Sequence, residues 1–185
     1  MARSFANIEF YKFFVTCSLI TPFIQKVISH LAMNNTLIEI RKIHIEIEHY
    51  LQNLATKSST NQCAACTNVC CKEEICNESI NSDFLRFILG DKTKEYNKKN
   101  GWFDQSSGCT LNFGRPIVCY EFFCSKFDED SQSKNLQVKS KEFSQVYAKV
   151  FRNQHILEID NINSIPEKKL QKLLEKLKLF KTLCN

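Results

Sequence analysis

Residues Cys63–Cys76 read CAACTNVCCKEEIC, five thiols in fourteen positions. The fold depends on what these sulfurs do: hold a metal, lock loops as disulfides, or exchange electrons. Working outward, eight of the chain's ten cysteines fall in one region, at Cys63, Cys66, Cys70, Cys71, Cys76, Cys109, Cys119 and Cys124. The other two, Cys17 and Cys184, stand near the ends and read as small apolar residues or unbonded thiols, since Cys packs readily as a hydrophobe. A C-x2-C turn sets two thiolates on one side of a tight loop, where both reach a single ion at about 2.3 Å. Cys70 and Cys71 follow at once, and Cys109, Cys119 and Cys124 are available to close a shell from further along the chain. Adjacent side chains diverge, so Cys70 and Cys71 serve different ions or different faces of one cluster. Eight thiols suffice for two four-ligand sites. A disulfide framework is the alternative that an oxidising compartment would favour. A thioredoxin-like exchange between Cys63 and Cys66 lacks the strand that should lead into the motif.

Composition limits the remaining choices. The chain has 185 residues, 43% of them apolar, enough to bury a core without covalent help. Only four glycines and three prolines are present and 24% of residues are charged, which excludes collagen-like and disordered architectures. The net charge of +5 is mild and dispersed, so charge alone does not point to nucleic acid. Near the start, Phe13 to Ile24 is an apolar run interrupted by Pro22. It is too short to span a bilayer and has no small-x-small cleavage site, so no membrane partner is expected and the cytoplasm is the expected location. Met33 is a candidate natural start, because a coherent helix begins just after it.

Periodicity fills in the flanks. Leu37, Ile40, Ile43, Ile47, Tyr50, Leu51 and Leu54 form one apolar helical stripe, with Arg41, Lys42, Glu46 and Glu48 off it and His44 and His49 away from its centre. Both histidines read as solvated or partly packed. Residues 57–62 form a polar linker. Ser82 to Leu89 forms a shorter helix, with Ser82 or Asn81 as its cap and Gly90 as its stop. Asp91 to Gly101 reads as an exposed loop, and Gly101 to Cys124 as short extended pieces and loops. Two helices close the chain, with stripes at Phe143, Val146, Tyr147, Val150 and Phe151, and at Leu170, Leu173, Leu174, Leu177 and Phe180. Ser164 and Glu167 suggest a capping box around Pro166. Six lysines of the last helix, from Lys168 to Lys181, read as a solvated surface. The expected fold is therefore mainly α: a small single domain of amphipathic helices flanking an irregular, metal-organised cysteine core with at most short strands. Its parts are an apolar extension (1–33), a helix and linker (34–62), the cysteine core (63–124) and a helical region (125–185).

The order of residues from 63 to 124 resembles the bacterial cysteine-cluster family called YkgJ, described as a zinc- or iron-chelating domain. The likeness lies in Cys63-x2-Cys66-x3-Cys70-Cys71, a helix with a Gly stop, Trp102-Phe103-Asp104, Gly108-Cys109, and Arg115-Pro116-x2-Cys119-Tyr120. It implies metal ligands among Cys63, Cys66, Cys70, Cys71, Cys109 and Cys119. This chain carries one extra residue before Cys70 and lacks the Cys expected before Trp102; Cys76 and Cys124 are candidates to replace it. Within the motif, Pro116 presets the backbone beside Arg115, and Arg115 is expected to offset thiolate charge. Tyr120, Phe122 and Phe123 are expected to shield the site. All-thiolate donors suit zinc and iron–sulfur clusters alike. The preference falls on an iron–sulfur cluster, because a related cysteine motif in flagellin lysine methylases is associated with one. The expected function is metal or cluster binding without catalysis. The alternatives are a cluster-dependent enzyme related to those methylases, although no G-x-G-x-x-G follows a predicted strand, and a zinc-organised nucleic-acid module using Lys92 to Lys99 and the last helix.

Overall fold

The computed structural model describes residues 35–55, 73–99, 101–104, 108–120, 131–152, 159 and 161–184. The chain divides into two compact units, Met1–Ile38 and Glu39–Asn185. Of the first, only the residues that open helix α1 are described; the packing below belongs to the second.

The fold is mainly helical, as the periodicity predicts. Helix α1 covers residues 35–55, α2 Glu73–Asn81, α3 Asp83–Leu89, α4 Ser131–Val150 and α5 Glu167–Thr182. Short 3₁₀ turns at Gly90–Glu95, Ile117–Tyr120 and Ile162–Ser164 join them. The strands described are two-residue pieces, β1 (Phe103–Asp104) and β2 (Gly108–Cys109), paired antiparallel with Phe103 opposite Cys109. No helix among the described residues is long and apolar enough to cross a membrane.

The helical side is built on the expected stripes. Ile40, Ile43, Ile47 and Leu51 of α1 are buried, as are Phe143, Val146, Tyr147 and Val150 of α4 and Leu170, Leu173, Leu174, Leu177 and Phe180 of α5. Each such side chain contributes about 1.5–3 kcal/mol by leaving water. Helices α4 and α5 pack together, and Phe143 stacks on Phe180 with ring centroids 5.7 Å apart. Of the α5 lysines, Lys178 pairs with Glu39 (2.7 Å) and Lys181 with Glu46 (2.6 Å), while Lys169 lies 5.6 Å over the Phe151 ring. These half-exposed pairs orient α5 beside α1 more than they stabilise it.

The predicted ends of α3 are present. The Ser82 hydroxyl accepts from the Leu85 N–H at 3.3 Å, and Gly90, at φ 56°, ends the helix in a backbone region that side chains resist. Arg41 of α1 reinforces that end by donating to the carbonyls of Ile88 (2.7 Å) and Leu89 (3.3 Å), where a cation also meets the negative pole of the helix.

Four readings need correction. Glu73–Asn81 is a helix inside the cysteine segment, where irregular structure was expected. The stretch after Gly90 is exposed but begins as a 3₁₀ turn before the Asn97–Gly101 bridge. The capping box does not form: α5 starts from Pro166, and the Ser164 hydroxyl donates to the Asn161 carbonyl at 2.8 Å. Ser164 ends a 3₁₀ turn of its own, so it is not free to reach the first turn of α5. Finally, His44 is fully buried, as is Glu48. Both lie on the α1 face that carries Ile40, Ile47 and Leu51, because a stripe following a 3.6-residue period is wide enough to include positions 44 and 48. His49 is exposed as expected.

Candidate metal centre

Three of the eight candidate ligands lie among the described residues, on three different elements. Cys76 is in the middle of α2, Cys109 ends β2, and Cys119 lies in the 3₁₀ turn Ile117–Tyr120. All three are unbridged, as is Cys184 just past the end of α5, whose thiol donates to the Phe180 carbonyl at 3.4 Å. Cys17, Cys63, Cys66, Cys70, Cys71 and Cys124, with Phe122 and Phe123, lie outside the described residues.

Folding brings Cys76 and Cys109 together across 33 residues. Their sulfurs are 2.7 Å apart, with the Cys76 thiol donating to Cys109. This exceeds the about 2.05 Å of a disulfide bond. It falls short of the roughly 3.8 Å between two thiolates at about 2.3 Å from one tetrahedral ion. The pair at 2.7 Å lies about 0.7 Å from the first state and about 1.1 Å from the second. Cys76 is buried and Cys109 partly so, against an apolar cluster of Leu89, Trp102, Leu111 and Phe113.

The two thiols differ in protonation. The hydrogen bond from Cys76 lowers the Cys109 pKa to about 7; burial opposes this, and the charge of Arg115 adds to it. The same bond raises the Cys76 pKa, with burial and the charges of Cys109 and Cys119 acting in the same direction. One proton shared unequally leaves Cys109 the ready thiolate.

Arg115 supplies the fixed cation. Its Nε donates to the Leu111 carbonyl at 2.6 Å and a terminal nitrogen donates to the Cys109 carbonyl at 3.1 Å, so the side chain closes the loop that carries Cys109. Burial works against its charge, but Tyr120, Cys109, Cys119 and Glu48 outweigh that and leave its pKa raised. Arg115 therefore lies within electrostatic reach of both Cys109 and Cys119.

Glu48 of α1 holds this turn in place. One carboxylate oxygen accepts from the Arg115 N–H (2.9 Å) and the Tyr120 hydroxyl (3.1 Å), the other from the Gly114 N–H (2.5 Å). Gly114 has φ 73°, and an added Cβ would come within 2.7 Å of the Leu89 side chain, so only glycine lets the chain pass this close. Gln52, one turn further along α1, donates to the Asn112 carbonyl (2.5 Å) and to the Tyr120 hydroxyl (3.0 Å). Tyr120 is buried as expected of a shielding residue; burial first, and then the Glu48 charge, push its pKa up. Behind Glu48, His44 Nε2 lies 3.2 Å from a carboxylate oxygen but is not aligned for a hydrogen bond. The other ring nitrogen is 2.5 Å from the Tyr147 hydroxyl of α4. Burial, then Glu48, raise the Tyr147 pKa, so the phenol keeps its proton beside His44. A polar chain thus runs from α4 through α1 to the Arg115 turn.

Sequence reasoning found the cysteines, Arg115 and Tyr120 but missed Glu48, His44 and Gln52. The available signal was a polar pair at i and i+4 inside an apolar stripe, an arrangement that costs several kcal/mol unless partners wait in the core.

In kind, these groups suit a thiophilic centre: three sulfurs, one of them readily ionised, and the partly buried cation of Arg115. In number they fall short. Among the described residues no three His, Cys, Asp or Glu side chains come close enough together to hold an ion. Scans against protein-family models, curated proteins and solved structures each find no match for the chain.

Proposed function

We propose that this chain is a metal-binding cysteine-cluster protein whose thiolates hold iron, as an iron–sulfur cluster, or zinc. The observation that carries this reading is the contact between Cys76 and Cys109, remote in sequence and adjacent in space beside Arg115. Cys119 is the third donor, and the shell is completed by cysteines among Cys63, Cys66, Cys70, Cys71 and Cys124. The resemblance to the YkgJ pattern over 63–124 supports the same assignment, with Cys76 replacing the cysteine missing before Trp102. A cluster would supply electron transfer, and zinc a cross-link between loops. Within the chain, Glu48 and Gly114 fix the turn, Arg115 balances thiolate charge, and Tyr120 keeps water out. Thiolates persist in a reducing compartment, so the cytoplasm is the proposed location.

A second reading has one observation in its favour: at 2.7 Å the same two sulfurs are also close to bonding each other. Anaerobic purification followed by elemental analysis and an absorption spectrum separates the two. Iron with broad visible absorption, or stoichiometric zinc in a colourless protein, is the expected result. A metal-free, folded protein with Cys76 joined to Cys109 would overturn it.

A further inference from the structure

Trp102 carries the one indole of the chain. It is 4% exposed and packs with Cys76, Leu89 and Leu111, with Cys109 and Phe113 against the same cluster; its ring meets Tyr96 edge-on at 5.4 Å. Its backbone is held on both sides. The Trp102 N–H donates to the Asn77 side chain at 3.2 Å, and its carbonyl accepts from the Thr110 N–H (2.8 Å) and hydroxyl (2.9 Å). Its indole Nε1–H, by contrast, has no partner among the described residues.

An indole nitrogen is donor only and, unlike the hydroxyls of Ser79 and Ser140, which are also buried without partners, it cannot turn to find an acceptor. Leaving such a group unpaired forfeits the hydrogen bond it would make in water. Apart from the half-buried Tyr96 hydroxyl, the side chains of its cluster carry no heteroatoms but the sulfurs of Cys76 and Cys109, and neither sulfur accepts its proton here. A centre bound at those cysteines would bring the missing acceptor, an electron-rich sulfur in a dry pocket.

We propose that Trp102 donates its indole N–H to a sulfur of the bound centre, either a metal-bound thiolate or a cluster sulfide, and so acts as a positioning and tuning residue for it. This rests on the metal-binding reading above. Outer donors of this kind are worth about 10–100-fold in metal affinity.

The test uses the full chain, reduced and metal-free, titrated anaerobically with Cd²⁺. Thiolate-to-cadmium absorption reports binding, and the one indole ¹H–¹⁵N resonance reports Trp102. The expected result is a downfield shift of the indole proton with slowed exchange, together with Cd²⁺ binding about tenfold weaker in Trp102→Phe, which keeps a ring but loses the N–H. Should Trp102→Phe fail to fold, the wild-type indole signal decides alone. Thiolate–cadmium absorption with an unmoved indole proton, or with unchanged affinity in a folded Trp102→Phe, overturns the role of Trp102 and leaves the metal reading intact. Absence of thiolate–cadmium absorption removes both.

Discussion

The α1, α4 and α5 side and the cysteine-bearing side from 73 to 120 are stabilised in different ways. On the helical side, buried Leu, Ile and Phe side chains follow one another at helical spacing, and stability is spread over many similar contacts. On the cysteine side, beyond the buried Phe84, Leu85 and Ile88 of α3, the cluster around Cys76 has four buried members, and the backbone between them is tied by single polar groups. Glu48 holds Gly114 and Arg115, Arg41 holds the end of α3, Asn77 holds Trp102, and Arg115 holds Cys109. The helical side tolerates exchange of one apolar residue for another. The cysteine side depends on particular atoms, several of them supplied by α1 from more than forty positions away.

The largest effect expected on the helical side follows from Phe143→Ala, which removes a fully buried ring stacked on Phe180; chemical denaturation should show a loss of about 4 kcal/mol. Phe143 reaches the cysteine side only through its ring contacts with His44 and Tyr147, so the folded variant should change the reactivity of Cys109 toward an alkylating reagent little. Glu48→Ala should cost about 3 kcal/mol, because it takes the acceptor from two backbone N–H groups and from the Tyr120 O–H, which keeps only the bond it receives from Gln52. Unlike Phe143→Ala, it should also speed alkylation of Cys109 and Cys119. A change of only a few tenths of a kcal/mol would mean that the clamp is not what orders the turn.

A smaller effect is expected from pH, in the reduced, metal-free protein. The lowered Cys109 pKa adds stability as pH rises from about 7 toward the ordinary thiol value of 9.0, and removes it as pH falls back through 7. The raised Cys76 pKa acts in the opposite sense: its contribution is complete below 9.0 and is lost as pH climbs further. Thermal unfolding should therefore show stability rising between pH 7 and 9 and declining above, whereas a flat profile would mean that the two thiols are not coupled. The smallest change is Ser82→Ala, which removes the α3 cap at a cost of about 1 kcal/mol in the same denaturation assay and leaves thiol reactivity alone.

How much of this was legible in the sequence differs between the same two sides. Helical stripes are local, so Phe143, Tyr147, Leu173, Leu177 and Phe180 could be assigned to a core from spacing alone, and Ser82 and Gly90 could be assigned to helix ends. Helix α2 carries no apolar stripe to mark it, because its buried face consists of Cys76 and Ser79 instead of large apolar residues. Cys109 and Cys119 were legible as chemistry but not as geometry, because no local rule pairs a residue with one 33 positions away. Glu48 falls off the apolar stripe in the sequence for a similar reason: its partners are backbone N–H groups of a glycine turn 66 residues on, and backbone donors carry no signature in the side-chain sequence. The Ser164 and Glu167 pattern matched a capping box and failed, since a 3₁₀ turn had already used Ser164.

The most direct test compares metal content across single cysteine variants of the anaerobically purified full chain. Cys76→Ser, Cys109→Ser and Cys119→Ser should each lower the bound iron or zinc per chain, while Cys184→Ser, whose sulfur rests on the Phe180 carbonyl, should leave it unchanged. Equal metal content in all four variants, or none in the unaltered protein, would contradict a centre built on the meeting of Cys76 and Cys109.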